Sequence, residues 1–539
     1  MLTTNSLPDS EQSPDKPFSK SLKKSLSIAT AIMMGSVLLS RIAGLFREQV
    51  LAHYGGTSFE MDAYVTAFLL PELLNHFLAG GFLSITFIPI FQRHFHSGNR
   101  EKAWISLSNL ITIGSILFLI LIPLSIIFTP AILQLMGKNF AHPDQFALTV
   151  KLTRIILPAQ IFFYWGAFFS AVQMAEHKFF LPALSPLLYN VGIIAGGIIL
   201  GPVIGIEGFA WGVLIGAFAG NVLLQLPGAL RCGMKYKFTF NLSDSDFSNY
   251  IRKTVPLILG LGMTFSNEIF FRFFGSFLPE GGTSSVNYAL RTTMMVVAVF
   301  GQASGVAFFP YLSKMAIEQQ FMQMSQMLHS LLTKIATYLV PLSSIMLVVS
   351  YEIISILFKR GHFTESSALA TASVFSIYLL GTFSFSASII IARSFYALEN
   401  TLLPMLVSTG TSLLSIPLYF FLCKLLGAQG IALAAIIGIT LQFLILYFIW
   451  INKFKTWKSS FLFGTQFAKI IAICSVGAVS AYFIKRQIDT IQFTNNELIN
   501  NLLECTITAG PALLLIFVLY EITGIQKLKA TIRGLLKRK

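Results

Sequence analysis

Charge is what this chain has least of. Asp, Glu, Lys and Arg make up 11% of 539 residues, against a hydrophobic share of 55% and a mean hydropathy of +0.72. A soluble globule of this length needs far more polar surface, so composition excludes one and requires a polytopic membrane protein. Cysteine is nearly as sparse. Cys232, Cys423, Cys474 and Cys505 stand apart with no CxxC or Cys/His spacing, and carry no metal or disulfide signal. No Walker A loop, nucleophile elbow or HExxH pattern occurs, so there is no ATPase or hydrolase site, no catalytic residue and no cofactor to assign.

What the chain has in abundance is apolar runs. Windows of roughly 20 apolar residues, enough to cross about 30 Å of hydrocarbon, recur from Ile28 to Tyr520, and about 14 fit. The formal charge of +15 could suggest a nucleic-acid partner, but the basic residues fall on one side. Alternate loops and both tails hold about 23 Lys and Arg, among them Arg93, Arg100, Lys102, Arg231, Lys235, Lys453 and Lys458, against about 6 in the opposite loops. The excess therefore reads as topology and attraction to anionic headgroups, not nucleic-acid binding, with both termini cytoplasmic. Residues 1–26 form a polar tail, too long and too acidic for a signal-peptide n-region.

Four segments return in order at offsets of 221 to 226 residues. GGTSFEMDAY (55–64) pairs with GGTSSVNYAL (281–290), FIPIFQR (87–93) with FFPYLSK (308–314), HKFFLPALSP (177–186) with ENTLLPMLVS (399–408), and GIEGFAWGVLIG (205–216) with GAQGIALAAIIG (427–438). One duplication of six spans accounts for all four. Six is even, so both copies share one orientation, and the expected architecture is two six-helix lobes related by a pseudo-twofold axis along the membrane normal. Two further helices follow them. The division reads as an N-lobe at 27–231, a cytoplasmic link at 232–253 with a short amphipathic helix from Ser243, a C-lobe at 254–452, spans 13 and 14 within 453–521, and a basic tail at 522–539.

The few charges inside these spans demand a reason, because an unpaired ionised side chain at mid-bilayer costs about 2.5–3.5 kcal/mol on insertion scales. SRIAGLFREQVLAHYGGTSFEMDAY (40–64) carries Arg41, Arg47, Glu48 and Asp62. The second span adds Glu72, the seventh has Glu268 and Arg272 at the i,i+4 spacing of a helical ion pair, and Arg291 opens the eighth. Arginines lining a cavity between the lobes would bind a multiply charged anion, since guanidinium forks match phosphate oxygens and stay ionised when desolvated. Pairing among the helices themselves is the alternative, as four arginines face four acids. Lys151, Arg154, Lys334 and Arg393 read as snorkelling anchors near cytoplasmic span ends.

Taken together, SRIAGLFRE, DAYVTAFLLPELL, FIPIF, NYALR, GVAFFPYLSK and LFKRGHFT resemble the MurJ/MviN family of lipid II flippases, within the multidrug/oligosaccharidyl-lipid/polysaccharide exporter superfamily. The resemblance implies a V-shaped pair of lobes around a cationic cavity, with the last two helices forming a groove for a lipid tail. It implies a transporter, not an enzyme, that moves the undecaprenyl-pyrophosphate-linked peptidoglycan precursor, lipid II, from the inner to the outer leaflet of the bacterial cytoplasmic membrane by alternating access. Its partners would be that lipid, bilayer lipids and other cell-wall synthesis proteins, and an ion gradient or the membrane voltage is left open as the driving force. Arg41, Arg47, Asp62 and Arg291 fall on the family's functional positions, to which the charge inventory adds Glu48, Glu268 and Arg272 as substrate contacts. The chain departs from the family where Asn75 and His76 replace basic residues and Gly80 an acidic one, which keeps open a different polyprenyl-pyrophosphate-linked glycan. A multidrug or cation antiporter of the same superfamily is the second alternative.

Overall fold

The computed structural model describes residues 39–525 except 79–86, 89, 95–97, 137–142, 177, 262–265, 489–490 and 492. Both polar tails, Gly80 and part of FIPIFQR lie outside the described residues. Among those described there is no strand, and the chain is a succession of helices. The first half comprises α1 (39–55), α2 (Phe59–Ala67), α3 (Leu69–Leu78), α4 (90–94), α5 (Arg100–Met136), α6 (Pro143–Ile156), α7 (Ala159–Ala175), α8 (Phe180–Ile204), α9 (Glu207–Phe218) and α10 (Gln225–Arg231). The second comprises α11 (Ser245–Leu261), α12 (Ser266–Gly275), α13 (Gly282–Val297), α14 (Ala303–Ile317), α15 (Phe321–Val348), α16 (Ser350–Phe358), α17 (Glu365–Leu380), α18 (Thr382–Ala397), α19 (Leu402–Phe454), α20 (Trp457–Ile488) and α21 (Glu497–Ile522).

Among the described residues nine helical stretches are individually long and apolar enough to cross a bilayer, and α17 with α18 makes a tenth across a 46° bend. The 53-residue α19 supplies two spans, because it breaks at Gly427, whose φ of 58° belongs to no helix interior. With α1, α2 with α3, and α11 with α12 as further helical segments, the described residues accommodate the expected fourteen spans.

The duplication is visible in the turns. Gly205, which ends α8, has φ 63° and ψ −141°, and Gly427 at the equivalent place has φ 58° and ψ −130°. These are backbone conformations that a side chain would strain. Between α7 and α8 the amide of Lys178 donates to the carbonyl of Gln173 at 2.8 Å, and between α18 and α19 the amide of Asn400 does the same to Phe395 at 3.1 Å. The same closure also ends other helices, as from Gln320 to Met315, so it is the glycine turns that carry the correspondence.

Glycine also sets how closely spans pack. Where α8 meets α9, Gly192, Gly196, Gly208, Gly212 and Gly216 face one another, and a Cβ built on Gly196 would lie 2.5 Å from the Gly208 carbonyl oxygen and from the Gly212 Cα. With lipid on the outside, close backbone approach of this small-residue kind drives association in place of the hydrophobic effect.

Each half has its own apolar core. Phe87, Trp104, Phe118, Tyr164 and Phe168 pack within the first half, and Leu328, Phe395, Trp450, Phe463 and Tyr520 tie α20 and α21 to the second. A third core, with Leu51, Met61 and Tyr64 from the first half and Phe271, Tyr288, Phe358 and Tyr419 from the second, joins the lobes. It sits at the end of the bundle that carries the turns at 56–58 and 276–281, opposite the basic link.

The link itself departs from the expected free connection. It runs along the first turns of α5, where Asn109 and Asn241 exchange side chain to main chain hydrogen bonds at 2.8 Å in both directions and Ser108 accepts from the Lys237 amide at 3.1 Å. The helix expected from Ser243 begins at Ser245 and continues into the seventh span instead of ending short. Its Asp246 accepts from Ser106 at 2.6 Å and pairs with His94 at 2.8 Å. Lys151 and Arg154 are corrected more firmly. They lie at the end away from the basic link, because α6 starts there, and Lys151 pairs with Glu207 while Arg154 donates to the Ile126 carbonyl at 3.0 Å.

Two outcomes test this packing. Replacing Gly212 with valine should lower the melting temperature in detergent by several degrees, and an unchanged melt would mean that the α8 and α9 seam tolerates a wider approach. Burial raises the Asp246 carboxyl, but the hydrogen bonds from Ser106 and His94 outweigh it and hold the group below its ordinary value. A depressed carboxylate contributes its stabilisation above the unfolded value of about 3.9 and loses it as pH falls through the folded one. Protease cutting of the link at 235–243 should therefore increase in acid below that value, and Asp246→Asn should be cut readily at neutral pH.

Candidate functional site

A chamber of about 360 Å³ lies between the lobes, beneath the core that joins them. α1 delivers Arg47 and Glu48, the α2 and α3 pair delivers Tyr64 and Glu72, and α12 and α13 deliver Glu268, Arg272, Asn287 and Arg291. A second cavity, of about 520 Å³, shares Arg47, Glu48 and Arg291 with it and adds Arg41, Pro182, Pro186 and Met294. Arg41 stands six residues before Arg47, about 9 Å further along α1 toward the basic end. The two spaces thus follow one another along the lobe interface.

The ion pairs differ from those read along single helices. Glu268 lies 3.8 Å from Arg272 four residues on, but both its oxygens face Arg291 at 3.1 and 3.3 Å in a forked pair. Arg272 instead pairs across the lobes with Glu72, and its guanidinium lies 5.1 Å from the ring centre of Phe271. Arg47 donates to Glu48 at 2.6 Å and to Asn190 at 2.9 Å, while Asn287 of the opposite lobe donates to Glu48 at 3.3 Å. Arg41 reaches Gln302 of the second lobe at 2.8 Å. Along one helix periodicity decides which side chains share a face, but which face meets which across more than 200 residues is a property of the packed lobes.

Asp62 departs from the expected substrate contact. It is buried, lines neither cavity, and accepts hydrogen bonds from the main-chain amides of Gly281 and Ser284, both at 2.7 Å. A carboxylate from the first lobe therefore caps the amino end of α13 in the second, where the exposed amides and the helix dipole favour negative charge. Around it the Phe59 amide donates to Glu280 at 3.0 Å, the His362 amide to the His53 carbonyl at 2.9 Å, and the Tyr288 hydroxyl to the Gly56 carbonyl at 3.2 Å. This set of contacts closes the end of the bundle above the chamber.

With Asp62 engaged there, the two cavities hold four arginines to three glutamates, an excess of positive charge, with Arg41 at the exposed end. The Nε atoms of Arg272 and Arg291 are buried without a hydrogen-bond partner. Six of the seven site residues read from the sequence thus gather at the lobe interface. Glu72, Asn190, Asn287 and Gln302 join them, and their signal was available: each is a polar residue in an otherwise apolar span. Asn75 also lines the chamber and His76 is buried beside it, so two of the three departures from the family pattern touch this region. Among the described residues no group of three or more His, Cys, Asp or Glu side chains is placed to hold a metal.

A family model described as lipid II flippase MurJ matches residues 51–503. The chain belongs to the MurJ family. The probable lipid II flippase MurJ of Buchnera aphidicola subsp. Acyrthosiphon pisum is 28% identical over 412 residues, covering 76% of this chain and 80% of that one. The lipid II flippase MurJ of Burkholderia cenocepacia is 26% identical over 426 residues, with 78% and 82% covered. Among solved structures, lipid II flippase MurJ in an inward closed conformation superposes with a TM-score of 0.76 at 26% identity, over 92% of this chain and 98% of that one. An inward-facing multidrug MATE transporter of the MOP superfamily matches at a TM-score of 0.64 and 14% identity, over 78% and 95%, a likeness of fold alone. The residues matched by the family model include Glu72, Glu268, Arg272 and Arg291.

Removing the Asp62 carboxylate strands two buried amides at a cost of about 1–3 kcal/mol, which falls on the closed state. Asp62→Ala should therefore raise the labelling of a cysteine introduced by Ser285→Cys with a membrane-impermeant thiol reagent. Labelling equal to that of the Ser285→Cys protein alone would show that the closure does not depend on Asp62.

Proposed function

We propose that this chain moves lipid II from the inner to the outer leaflet of the bacterial cytoplasmic membrane for cell-wall synthesis. One observation carries the reading. In a member of the MurJ family, an interlobe cavity concentrates four arginines against three glutamates, with two buried guanidinium nitrogens unpartnered. A pyrophosphate brings oxygens enough to engage those donors, and guanidinium remains charged out of water. An exporter of organic cations would instead gather acids in that place.

In this reading Arg41, Arg47, Arg272 and Arg291 contact the pyrophosphate, while Glu48 and Glu268 hold the guanidinium planes until the substrate arrives. Glu72 does the same for Arg272. The basic charge of the link at 232–253 supports a cytoplasmic assignment for it and for both termini, with the Asp62 closure outside. The N-lobe (27–231) and C-lobe (254–452) then rock about the core that joins them, and opening the outer end requires the α13 cap to release. Spans 13 and 14 supply the groove for the prenyl tail. Lys485 with Glu352 at 2.7 Å, and Lys359 with Glu497, fasten these two helices to the C-lobe, consistent with a tail path that travels with it.

Complementation tests the proposal. In bacteria depleted of their own lipid II flippase, the chain should restore the exposure of lipid II at the outer leaflet. Arg41→Ala and Arg291→Ala should insert normally yet reduce it by at least tenfold, as expected when a charge-assisted contact of about 1.5–3 kcal/mol is lost. Full activity in both variants would mean that the arginines only lock helices together, and an inserted chain that restores nothing would point to a different lipid-linked glycan.

A further inference from the structure

Lys334, expected as an anchor near a cytoplasmic span end, stands among polar neighbours on the surface of the bundle. Lys334 stands thirteen residues into the 28-residue α15, roughly 20 Å from its start, and is exposed on the outer surface of the bundle. Its neighbours one turn apart on that stripe, Gln326, Ser330 and Tyr338, are exposed as well. Elsewhere the outward stripes are what hydrocarbon requires: α5 shows Leu117, Ile120, Leu124 and Ile127, and α19 shows Leu406, Leu413 and Phe420. The stripe on α15 is instead polar with a cation at its centre, and Lys469 of the neighbouring α20 is exposed as well, a surface suited to an anionic headgroup.

The stripe forms one wall of a groove of about 540 Å³. Ser459 and Gln466, on the first turns of α20, form the facing wall. His329 at its floor is already engaged, with the Ser325 carbonyl at 2.7 Å and the Ser460 hydroxyl at 3.0 Å, so it braces the groove instead of offering a free nitrogen. No acidic side chain lines the groove and no ion pair holds Lys334 among the described residues. The groove is separate from the interlobe cavities, whose walls come from α1, α2, α3, α6, α7, α8, α9, α12 and α13.

We propose that this groove binds the phosphate of an anionic phospholipid from the leaflet at the basic end of the bundle. Lys334 supplies the charge, Gln326, Ser330 and Gln466 supply neutral donors to the remaining phosphate or glycerol oxygens, and Leu462 with Phe463 contacts the acyl chains where they leave the headgroup. Only the leaflet rests on the orientation argued above; the site does not depend on what the cavity transports. Because α15 and α20 form its two walls, a lipid seated there bridges the C-lobe to span 13.

Native mass spectrometry of the full chain, offered equal amounts of dioleoyl-phosphatidylglycerol and dioleoyl-phosphatidylcholine, tests this. The wild-type chain should retain phosphatidylglycerol preferentially, Lys334→Arg should keep that preference, and Lys334→Ala should reduce it about fivefold, the effect of one cation near a lipid surface. Gln466→Ala should reduce it less. If the alanine variant melts lower than wild type, Lys334→Gln, which keeps the side-chain length and loses the charge, replaces it. Equal retention by wild type and the neutral variants would overturn the proposal. So would displacement of phosphatidylglycerol by added undecaprenyl pyrophosphate in wild type but not in Arg41→Ala, since the groove would then belong to the transported lipid.

Discussion

Everything in this structure answers to the cost of a charge that has left water. A guanidinium or carboxylate in a low-dielectric interior forfeits hydration that only a partner of opposite sign, or a set of hydrogen bonds, restores. The chain places seven such groups in the two cavities where its lobes meet and satisfies most of them there: Glu268 with Arg291, Glu72 with Arg272, and Glu48 with Arg47. Two of these sets cross from one lobe to the other, through Glu72 with Arg272 and through Asn287 with Glu48. Charge satisfaction and lobe closure are therefore one interaction.

This arrangement explains how a site can be both stable when empty and receptive to an anion. Replacing a buried ion pair by apolar residues is often neutral or stabilising, so the network is poor evidence of a stability role. On the function proposed, the acids would hold the guanidinium planes in position and yield them to phosphate oxygens. Asp62 works differently, because its partners are main-chain amides at a helix start, which no substrate group needs to replace. The charge at the end of the bundle thus joins the lobes through main-chain amides, and the charge beneath it through side-chain pairs.

Packing elsewhere follows from the lack of a hydrophobic drive between helices in lipid. Glycine seams such as that of α8 with α9 bring backbones together, and aromatic side chains fill the space between helices, as Phe383, Phe463 and Phe467 do between α18 and α20. The long polar start of α5, with Ser106, Ser108, Asn109 and Thr112, is explained by the link folded against it and not by the bilayer.

By itself the sequence determined the membrane class, the fourteen spans, the duplicated architecture and the identity of the intramembrane charges, because each of these is written in local periodicity, in composition or in repeated words. Arg41, Arg47, Glu48, Glu268, Arg272 and Arg291 were legible for that reason: a charge in an apolar window is conspicuous without any neighbour being known. Only the tertiary structure decided how they pair, that Asp62 caps α13 instead of lining the cavity, that Lys151 and Arg154 stand at the far end, and that Lys334 lies on a polar groove. Spacing along one helix specifies a face to within a turn, whereas the partner of that face is chosen by how two lobes, more than 200 residues apart in the chain, rotate and close on one another.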